Sequence, residues 1–316
     1  MKLSLIVPCY NEEKNIRAFH DAVVNAFANE EYDYEIVFVN DGSRDNTLNE
    51  LKKLHSEADT NIRILSFSRN FGKEAAMRAG LEHATGELQC LIDADLQQRP
   101  EVVVQMVHRL DECPELDCVA AYQAQRAEDK KLVFFKDKFY ALINAVSDTH
   151  FQQGASDFRT FRKPVAQAVL SLNEYHRFSK GLLSWVGFNT EFIPYEVQQR
   201  TEGESKWSFT KLFRYAIDGI VAFSTAPLMI PTVLGILLCI VSVLVLVINL
   251  IVCAATSVAF SFGSLLVFLV LLLGGLQFFC IGILGKYLAQ TFEQSKNRPI
   301  YLLKEKIEPK EKKAEQ

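Results

Sequence analysis

The sequence predicts an α/β domain built on a mostly parallel sheet and followed by two transmembrane helices. Three observations carry this prediction. Short apolar segments alternate with helical patterns through the first half of the chain. Polar motifs stand directly after several of those segments. Residues 219–285 contain no Asp, Glu, Lys or Arg, although charged residues make up 23% of the whole chain.

Five apolar segments have the length and composition of buried strands, and helical patterns lie between them. The strand candidates are 3–7, 34–39, 62–67, 88–92 and 117–121, and the helical stretches lie near 13–28, 46–55, 73–84 and 100–110. This βαβα order predicts a parallel sheet covered by helices on both faces. Ligands of such sheets bind beyond the carboxyl ends of the strands. Four of those ends carry polar motifs, at 8–13, 41–43, 69–73 and 93–97.

The motif DADLQ, residues 93–97, is the strongest candidate for a metal site. Asp93 and Asp95 are two residues apart after a buried strand. A bend there would turn both carboxylates toward one divalent cation, and Gln97 can add an amide oxygen. Mg²⁺ and Mn²⁺ prefer oxygen ligands and commonly keep waters while bridging phosphates. A surface turn is the alternative interpretation.

The other strand ends carry groups that suit a nucleotide. Asp41 in VNDGS could accept a hydrogen bond from a base, or it could cap a turn or helix. In VPCYNEE, Tyr10 could pack on a base and Glu12 could bind ribose hydroxyls. Arg69 and Lys73 lie at a predicted helix start, where cations and free N–H groups suit phosphate. A structural ion pair is the alternative for the two cations.

Two apolar segments have the length of membrane spans. As helices, residues 231–254 and 264–284 would be about 36 Å and about 31 Å long, against a hydrocarbon core of about 30 Å. Basic residues flank the pair on both sides, so both flanks are expected in the cytoplasm. These residues are Lys211, Arg214, Lys286, Lys296 and Arg298. A buried hairpin of a soluble protein is the alternative.

The predicted organisation therefore has four parts. They are a domain over 1–207, an amphipathic interface region over 208–229, the two spans within 230–286, and a Lys/Glu-rich tail over 287–316. The stretch 304–316 is expected to be a solvated cytoplasmic extension. The seven cysteines are odd in number and form no CxxC, which disfavours disulfides and zinc. A net charge of -4 gives no case for nucleic acid.

The motifs VPCYNEE, VNDGSRDNT, SRNFGKEAA and DADLQ, in this order and spacing, resemble the family 2 glycosyltransferases, which have the GT-A fold. GASDFRTF, RFSKGLLSWVGF and EGESKWSF, followed by two spans, are similar to bacterial polyprenyl-phosphate glycosyltransferases, relatives of dolichol-phosphate mannose synthase. The resemblance covers roughly residues 1–290. A processive polysaccharide synthase is disfavoured because no QxxRW signature is present. A non-enzymatic membrane regulator on a transferase fold is the remaining alternative.

The resemblance implies an inverting transfer that depends on Mg²⁺ or Mn²⁺. The donor would be a nucleotide-sugar, with a UDP-sugar of glucose or N-acetylglucosamine favoured and GDP-mannose as the alternative. The acceptor would be undecaprenyl (polyprenyl) phosphate. The enzyme would be a multi-pass protein of the inner (cytoplasmic) membrane with its catalytic domain in the cytoplasm, and relatives suggest a homotetramer.

The resemblance also implies residue roles. Asp93, Asp95 and Gln97 would hold the metal. Pro8, Tyr10, Glu12, Asp41, Arg69, Lys73 and Asp93 would bind the nucleotide-sugar. Arg126, Lys136, Arg159, Arg200, Ser205 and Lys206 would engage donor or acceptor phosphates. Asp95 and Asp157 would form the catalytic pair, with Asp157 acting as a general base or holding Arg159 in an ion pair. Ser156 departs from the glycine that is common in the family's acceptor loop, and Gln98-Arg99 replaces a commoner His-Pro.

Overall fold

The computed structural model describes residues 2–58, 61–123, 155–196, 226–255 and 262–310. The chain divides into two compact units. One comprises Met1–Ala145, Thr149–Leu212 and Arg298–Gln316, and the other comprises Val146–Asp148 and Phe213–Asn297. Residues 208–225 of the predicted amphipathic interface region 208–229 lie outside the described residues, and residues 226–229 begin a long helix.

The first unit alternates strands and helices as the sequence predicts. Its elements are β1 (Lys2–Cys9), α1 (Ile16–Phe27), β2 (Asp33–Asn40), α2 (Thr47–Glu57), β3 (Asn61–Phe67), α3 (Lys73–His83), β4 (Leu88–Leu91), α4 (Pro100–Glu112), β5 (Cys118–Gln123), β6 (Ala155–Arg162), α5 (Lys163–Ser171), α6 (Ser179–Trp185), β7 (Thr190–Tyr195) and β8 (Leu303–Ile307). All five predicted strands and all four predicted helices are present. β6, β7 and β8 were not predicted.

The strands form one eight-stranded mixed sheet in the order β7-β5-β6-β4-β1-β2-β3-β8. The central strands β4, β1, β2 and β3 pair in parallel, which confirms the predicted fold class. β6 is antiparallel to both β4 and β5. β1 lies between β2 and β4, so the chain leaves β1 toward one side and later returns on the other. That switch point is where open α/β sheets bind ligands.

Apolar side chains cover both faces of the sheet. Along β1, Leu3, Leu5 and Val7 belong to one buried cluster and Ile6 to the other, as the two-residue period of a strand requires. Helix α3 lies very close to β1 because it carries Gly80 at the contact. A Cβ there would stand 2.2 Å from Cγ2 of Ile6. A larger side chain at this position would push α3 away from β1.

The C-terminal segment joins the sheet, so the prediction of a solvated extension over 304–316 is wrong for its first residues. β8 pairs antiparallel with β3 at the edge of the sheet. Its sequence LKEKI alternates, with both lysines exposed and the other three residues partly buried. Exposed lysines are typical of edge strands, where they discourage further strand pairing. The Lys/Glu-rich composition therefore suggested a solvated tail, although the residues alternate with the two-residue period of a strand.

The second unit contains two long apolar helices, α7 (Ala226–Ala255) and α8 (Phe262–Ser295), of 30 and 34 residues. The predicted spans 231–254 and 264–284 lie within them. In the part of the chain that the structure describes, one segment, Leu272–Ser295, is long and apolar enough to cross a membrane, with mean hydropathy 1.5. Large apolar side chains on both helices are exposed, among them Ile251 and Phe278.

Candidate active site

The loops that follow β1 and β2 are tied to each other by hydrogen bonds. The backbone N–H of Asn11 donates to Oγ of Ser43 at 3.0 Å, and the N–H of Arg44 donates to Oδ1 of Asn11 at 2.9 Å. Asn11 has a φ of 58°, a left-handed conformation that asparagine tolerates better than most residues. Two of the predicted polar motifs therefore form one surface at the carboxyl edge of the sheet.

Asp41 holds the loop after β3. It is 3% exposed, and its Oδ1 and Oδ2 accept the backbone N–H groups of Phe71 and Gly72 at 2.6 and 2.9 Å. Burial raises the pKa of Asp41, and these two hydrogen bonds and the charge of Arg69 oppose that rise. The structure thus shows a loop-holding role for this carboxylate. The base-binding role remains a prediction.

Gly42 lets the loops after β2 and β3 touch. Its φ is +60°, and a Cβ would lie 2.3 Å from the carbonyl carbon of Arg69 and 2.6 Å from the backbone nitrogen of Asn70. No other residue fits this contact without moving the β3 loop. In the same β3 loop, the guanidinium carbon of Arg69 lies 4.2 Å from the ring centroid of Phe71, a cation–π contact.

The predicted nucleoside-binding residues of the β1 end are spread over the strand end and its loop. Pro8 is still within β1, opposite Val39 of β2. Tyr10 has an exposed ring, 40% accessible, as stacking on a base would require. The carboxylate of Glu12 accepts a hydrogen bond from Nδ2 of Asn15 at 2.6 Å. Their contacts with a nucleoside remain predictions.

The DADLQ segment bends as the sequence predicts. Asp93 and Asp95 are partly exposed and flank the buried Ala94. Oδ1 of Asp95 accepts the backbone N–H of Gln97 at 3.2 Å. Leu96 takes a left-handed φ of 59° and turns the chain sharply. Both aspartates therefore remain partly exposed at the end of the strand.

Gln98 was assigned no role from the sequence, yet it clamps Asp93. It is 7% exposed. Its Oε1 accepts the backbone N–H of Asp93 at 2.9 Å, and its Nε2 donates to Oδ2 of Asp93 at 3.3 Å. A side-chain amide is both donor and acceptor, so one buried group fixes both the backbone and the carboxylate. The only signal in the sequence was its position directly after the motif.

Lys73 forms ion pairs with both Asp93 and Asp157. Its Nζ lies 2.6 Å from Oδ1 and 2.9 Å from Oδ2 of Asp93, and 3.5 Å from Oδ2 of Asp157. Burial would lower the pKa of Lys73, but the charges of Asp93 and Asp157 outweigh burial and raise it. The structural ion pair that the sequence left open for this lysine is therefore present, and its partners are two predicted site carboxylates.

Asp157 is held in its ionised form. Burial would raise its pKa, but the charges of Lys73, Lys180 and Arg159 together lower it. Its Oδ1 is buried and has no hydrogen-bond partner among the described residues. The ion-pair partner of Asp157 is Lys73, where the sequence suggested Arg159. An ionised carboxylate with one unused buried oxygen can orient a ligand or accept a proton.

Arg159 lies within the sheet. It is 3% exposed, and its guanidinium donates to the backbone oxygen of Ser156 at 3.0 Å. The hydroxyl of Ser156 donates to the backbone oxygen of Ala121 at 3.0 Å, beside a shift in the β5–β6 register. The unusual serine thus fastens β6 to β5. A phosphate contact for Arg159 remains a prediction.

Glu74, next to Lys73, was also missed. Its carboxylate accepts the backbone N–H of Ser179 at 3.0 Å and the Ser179 hydroxyl, which satisfies the N-terminus of α6. Burial, followed by the charge of Asp157, raises the pKa of Glu74 to about 7. Arg177 donates to the backbone oxygens of Leu172 and Val169. The RFSKGL motif therefore ties the start of α6 to Glu74 of α3 and to the end of α5.

A family model described as glycosyl transferase family 2 matches residues 4–170. The chain belongs to this family. It is a glycosyltransferase, as the motifs predicted. The bactoprenol glucosyl transferase of Shigella phage SfV is 38% identical over 311 residues, which cover 96% of this chain and 98% of that protein. The prophage bactoprenol glucosyl transferase homolog of Escherichia coli (strain K12) is 37% identical, with 96% and 99% covered.

A solved structure supports the fold assignment. Glucosyl-3-phosphoglycerate synthase from Mycobacterium tuberculosis, in complex with Mn²⁺, UDP and glucosyl-3-phosphoglycerate, has a TM-score of 0.50 to this chain. The match has 16% sequence identity and covers 70% of this chain and 77% of the other. The mostly parallel sheet with its helices is therefore the GT-A fold of family 2 transferases.

The family implies a divalent metal, and the residues present fit one. Among the described residues, no group of three or more His, Cys, Asp or Glu side chains is placed to hold a metal ion by itself. Mg²⁺ is usually held by one or two carboxylates together with substrate phosphates and water. Asp93 and Asp95, with an amide oxygen from Gln97, would be such a donor set. The donor's diphosphate would complete the coordination.

Five predicted phosphate-binding residues lie outside the described residues: Arg126, Lys136, Arg200, Ser205 and Lys206. Their roles remain predictions. The described residues therefore include the predicted nucleotide-sugar and metal ligands, together with Asp157 and Arg159.

Proposed function

We propose that this glycosyltransferase moves glucose from UDP-glucose to undecaprenyl phosphate at the cytoplasmic face of the membrane. The observation that carries the proposal is the 38% identity to a bactoprenol glucosyl transferase over 96% of the chain. That span includes both the site residues and the apolar helices. N-acetylglucosamine, and mannose from GDP-mannose, are the competing donor sugars.

In this proposal the carboxyl edge of the sheet binds the donor. The exposed ring of Tyr10 stacks on the base and Glu12 binds the ribose. Asp93, Asp95 and Gln97 would hold the metal beside the diphosphate of the donor. A bound Mg²⁺ or Mn²⁺ supplies Lewis-acid stabilisation of the charge that builds on the leaving diphosphate. Arg69 adds a positive charge beside the phosphates.

The acceptor needs little activation. The second pKa of a phosphate monoester is about 6, so undecaprenyl phosphate is largely a dianion at neutral pH. Asp157 therefore acts mainly by orienting the attacking oxygen opposite the leaving group, which inverts the anomeric centre. Its own negative charge would repel the dianion. Lys73, 3.5 Å away, offsets that repulsion.

The membrane part keeps the site near its acceptor. Each buried CH₂ group of a polyprenyl chain stabilises it in the bilayer by about 0.8 kcal/mol, so the enzyme must come to the lipid. We propose two spans, α7 and α8, with both flanks in the cytoplasm. Basic residues near an anionic bilayer surface contribute about 1 kcal/mol each. A homotetramer is part of the proposal and is tested by the mass of the detergent-solubilised protein.

The test uses the full-length protein with undecaprenyl phosphate and labelled UDP-glucose, UDP-N-acetylglucosamine or GDP-mannose, followed by lipid extraction. We expect label from UDP-glucose in the lipid fraction, and its loss on chelation of divalent ions. Asp95→Asn should reduce transfer by at least about a hundredfold, since a metal ligand is lost, without changing the melting temperature. Asp21→Asn, an exposed position on α1, is the matched control.

Two outcomes would contradict separate parts of the proposal. Near wild-type transfer by Asp95→Asn would remove the metal assignment and leave the transferase activity standing. Preferential labelling from another donor would remove glucose and leave the lipid acceptor standing. Labelling of no lipid from any of the three donors would overturn the proposed reaction.

A further inference from the structure

One ammonium group occupies the carboxylate that the metal needs. Nζ of Lys73 lies within 2.9 Å of both oxygens of Asp93, and its next charged neighbour is Asp157 at 3.5 Å. Lys73 is the first residue of α3, Asp93 follows β4, and Asp157 is in β6. Three separate elements therefore converge on this cation, which makes the contact a property of the fold.

While Lys73 contacts Asp93, few lone-pair directions of the Asp93 carboxylate are free for another ligand. A carboxylate offers about four lone-pair directions. Nζ of Lys73 donates a hydrogen bond to Oδ2 and lies 2.6 Å from Oδ1, and Nε2 of Gln98 donates a second hydrogen bond to Oδ2. A divalent ion at Asp93 would compete with the ammonium for the remaining directions and would also be repelled by its charge. The metal and Lys73 therefore cannot both bind Asp93 at full strength.

We propose that Lys73 is a positioning residue that makes metal loading depend on the sugar donor. Its ammonium weakens the binding of a free divalent ion to Asp93. The donor's diphosphate draws the ammonium away from Asp93, so metal and donor bind together. This inference rests on the proposed function, because it requires a diphosphate donor at the metal site.

The surroundings of Lys73 favour movement of its ammonium group from Asp93 to the diphosphate of the donor. The ammonium stands at the start of α3, where free backbone N–H groups and the helix dipole attract anions. The side chain is 44% exposed, so it can reorient without disrupting the core. Asp157 remains within reach as a second partner, so the ammonium keeps an anionic neighbour throughout. The charged groups around this pair are Glu74, Lys180 and Arg159.

The test measures Mn²⁺ binding to the full-length protein by titration calorimetry, with and without UDP and without any lipid acceptor. In the wild type, UDP should strengthen Mn²⁺ binding strongly. Lys73→Met should bind Mn²⁺ about three- to tenfold more tightly than the wild type when UDP is absent, as expected for removal of one partly exposed ion pair. The strengthening by UDP should shrink by at least the same factor. By linkage, the strengthening of UDP binding by Mn²⁺ shrinks equally.

Further variants separate charge from shape. Lys73→Arg keeps a cation and should keep most of the coupling between UDP and Mn²⁺. Lys73→Gln keeps a hydrogen-bond donor for Asp93 without the charge, so it should behave like Lys73→Met and serves if that variant folds poorly. Lys53→Met removes the same charge from an exposed position on α2 and should match the wild type.

The failures are distinguishable. If the wild type binds Mn²⁺ with UDP but Lys73→Met and Lys73→Gln bind free Mn²⁺ no more tightly than the wild type, the role of Lys73 is refuted and the metal site stands. If the wild type binds no Mn²⁺ even with UDP, the metal site of the proposed function is refuted, and the role of Lys73 with it.

Discussion

Substituting Gly42 by alanine tests whether the contact between the β2 and β3 loops builds the donor site. The new Cβ would lie 2.3 Å from the carbonyl carbon of Arg69, so the β3 loop must retreat by about 1 Å to reach ordinary contact distance. That movement lengthens the 2.6 and 2.9 Å hydrogen bonds from Phe71 and Gly72 to Asp41 beyond a useful range.

The magnitude follows from these contacts. A left-handed backbone costs an alanine about 1–2 kcal/mol. Each hydrogen bond to a carboxylate contributes about 1.5–3 kcal/mol. Losing at least one of the two should bring the total loss of unfolding free energy for Gly42→Ala to about 4 kcal/mol. Since Arg69 moves with the loop, UDP affinity in the presence of Mn²⁺ should also fall by more than about tenfold, which corresponds to 1.4 kcal/mol.

Gly72 offers a matched control. Its φ is +98°, yet a Cβ there meets nothing within 4 Å. Gly72→Ala therefore carries the backbone strain without the collision, and it should lose only about 1–3 kcal/mol. Both variants are compared by urea unfolding of the detergent-solubilised protein and by calorimetric UDP titration. Equal losses for the two variants would show that the loop contact contributes nothing beyond backbone strain, and the reasoning would be refuted.

Three further predictions concern residues that the structure revealed. Glu74 has a pKa raised from 4.5 to about 7, so between these pH values the folded state keeps a proton that the unfolded state has lost. This carboxyl therefore destabilises the fold increasingly as pH rises through that window, by up to about 3 kcal/mol. Glu74→Gln should gain melting temperature relative to the wild type between pH 5 and pH 8, and a pH-independent difference would contradict this. Gln98→Ala removes both hydrogen bonds to Asp93 and should weaken Mn²⁺ binding about tenfold in the presence of UDP, measured by calorimetry. Tyr301 stacks on Phe67 with centroids 5.0 Å apart, so Tyr301→Ala should lose about 1–2 kcal/mol of stability. An unchanged unfolding midpoint would show that the segment before β8 does not support the β3 end.

Much of the site was readable from local patterns. Buried strands reveal themselves by short apolar runs, and parallel strands place all their carboxyl ends at one edge. The motifs around Tyr10, Asp41, Lys73 and Asp93 could therefore be assigned to one surface from the order of strands and helices alone. Motif order and spacing also pointed to the family, because several weak signals in a required order are together specific.

The contacts between side chains of the site could not be predicted from the sequence. Lys73 meets Asp157 across 84 positions of the sequence, and Glu74 meets Ser179 across 105. Such pairs depend on which strands become neighbours and on how closely α3 approaches β1. Strand β8 could not be predicted for a related reason. Its five residues bury little by themselves and become a strand only because the edge of β3 offers hydrogen bonds.

The sequence by itself determined the alternation of strands and helices, the apolar helices, and the chemical identity of the polar strand ends. These features depend on periods of two and about four residues, which neighbouring side chains already contain. Only the tertiary structure decided that Asp41 and Gly42 join the loops after β2 and β3, that Gln98 hydrogen-bonds Asp93, and that one ammonium joins Asp93 to Asp157. Such contacts form between segments far apart in the chain. They arise only when packing of the whole sheet has brought those segments within hydrogen-bonding distance.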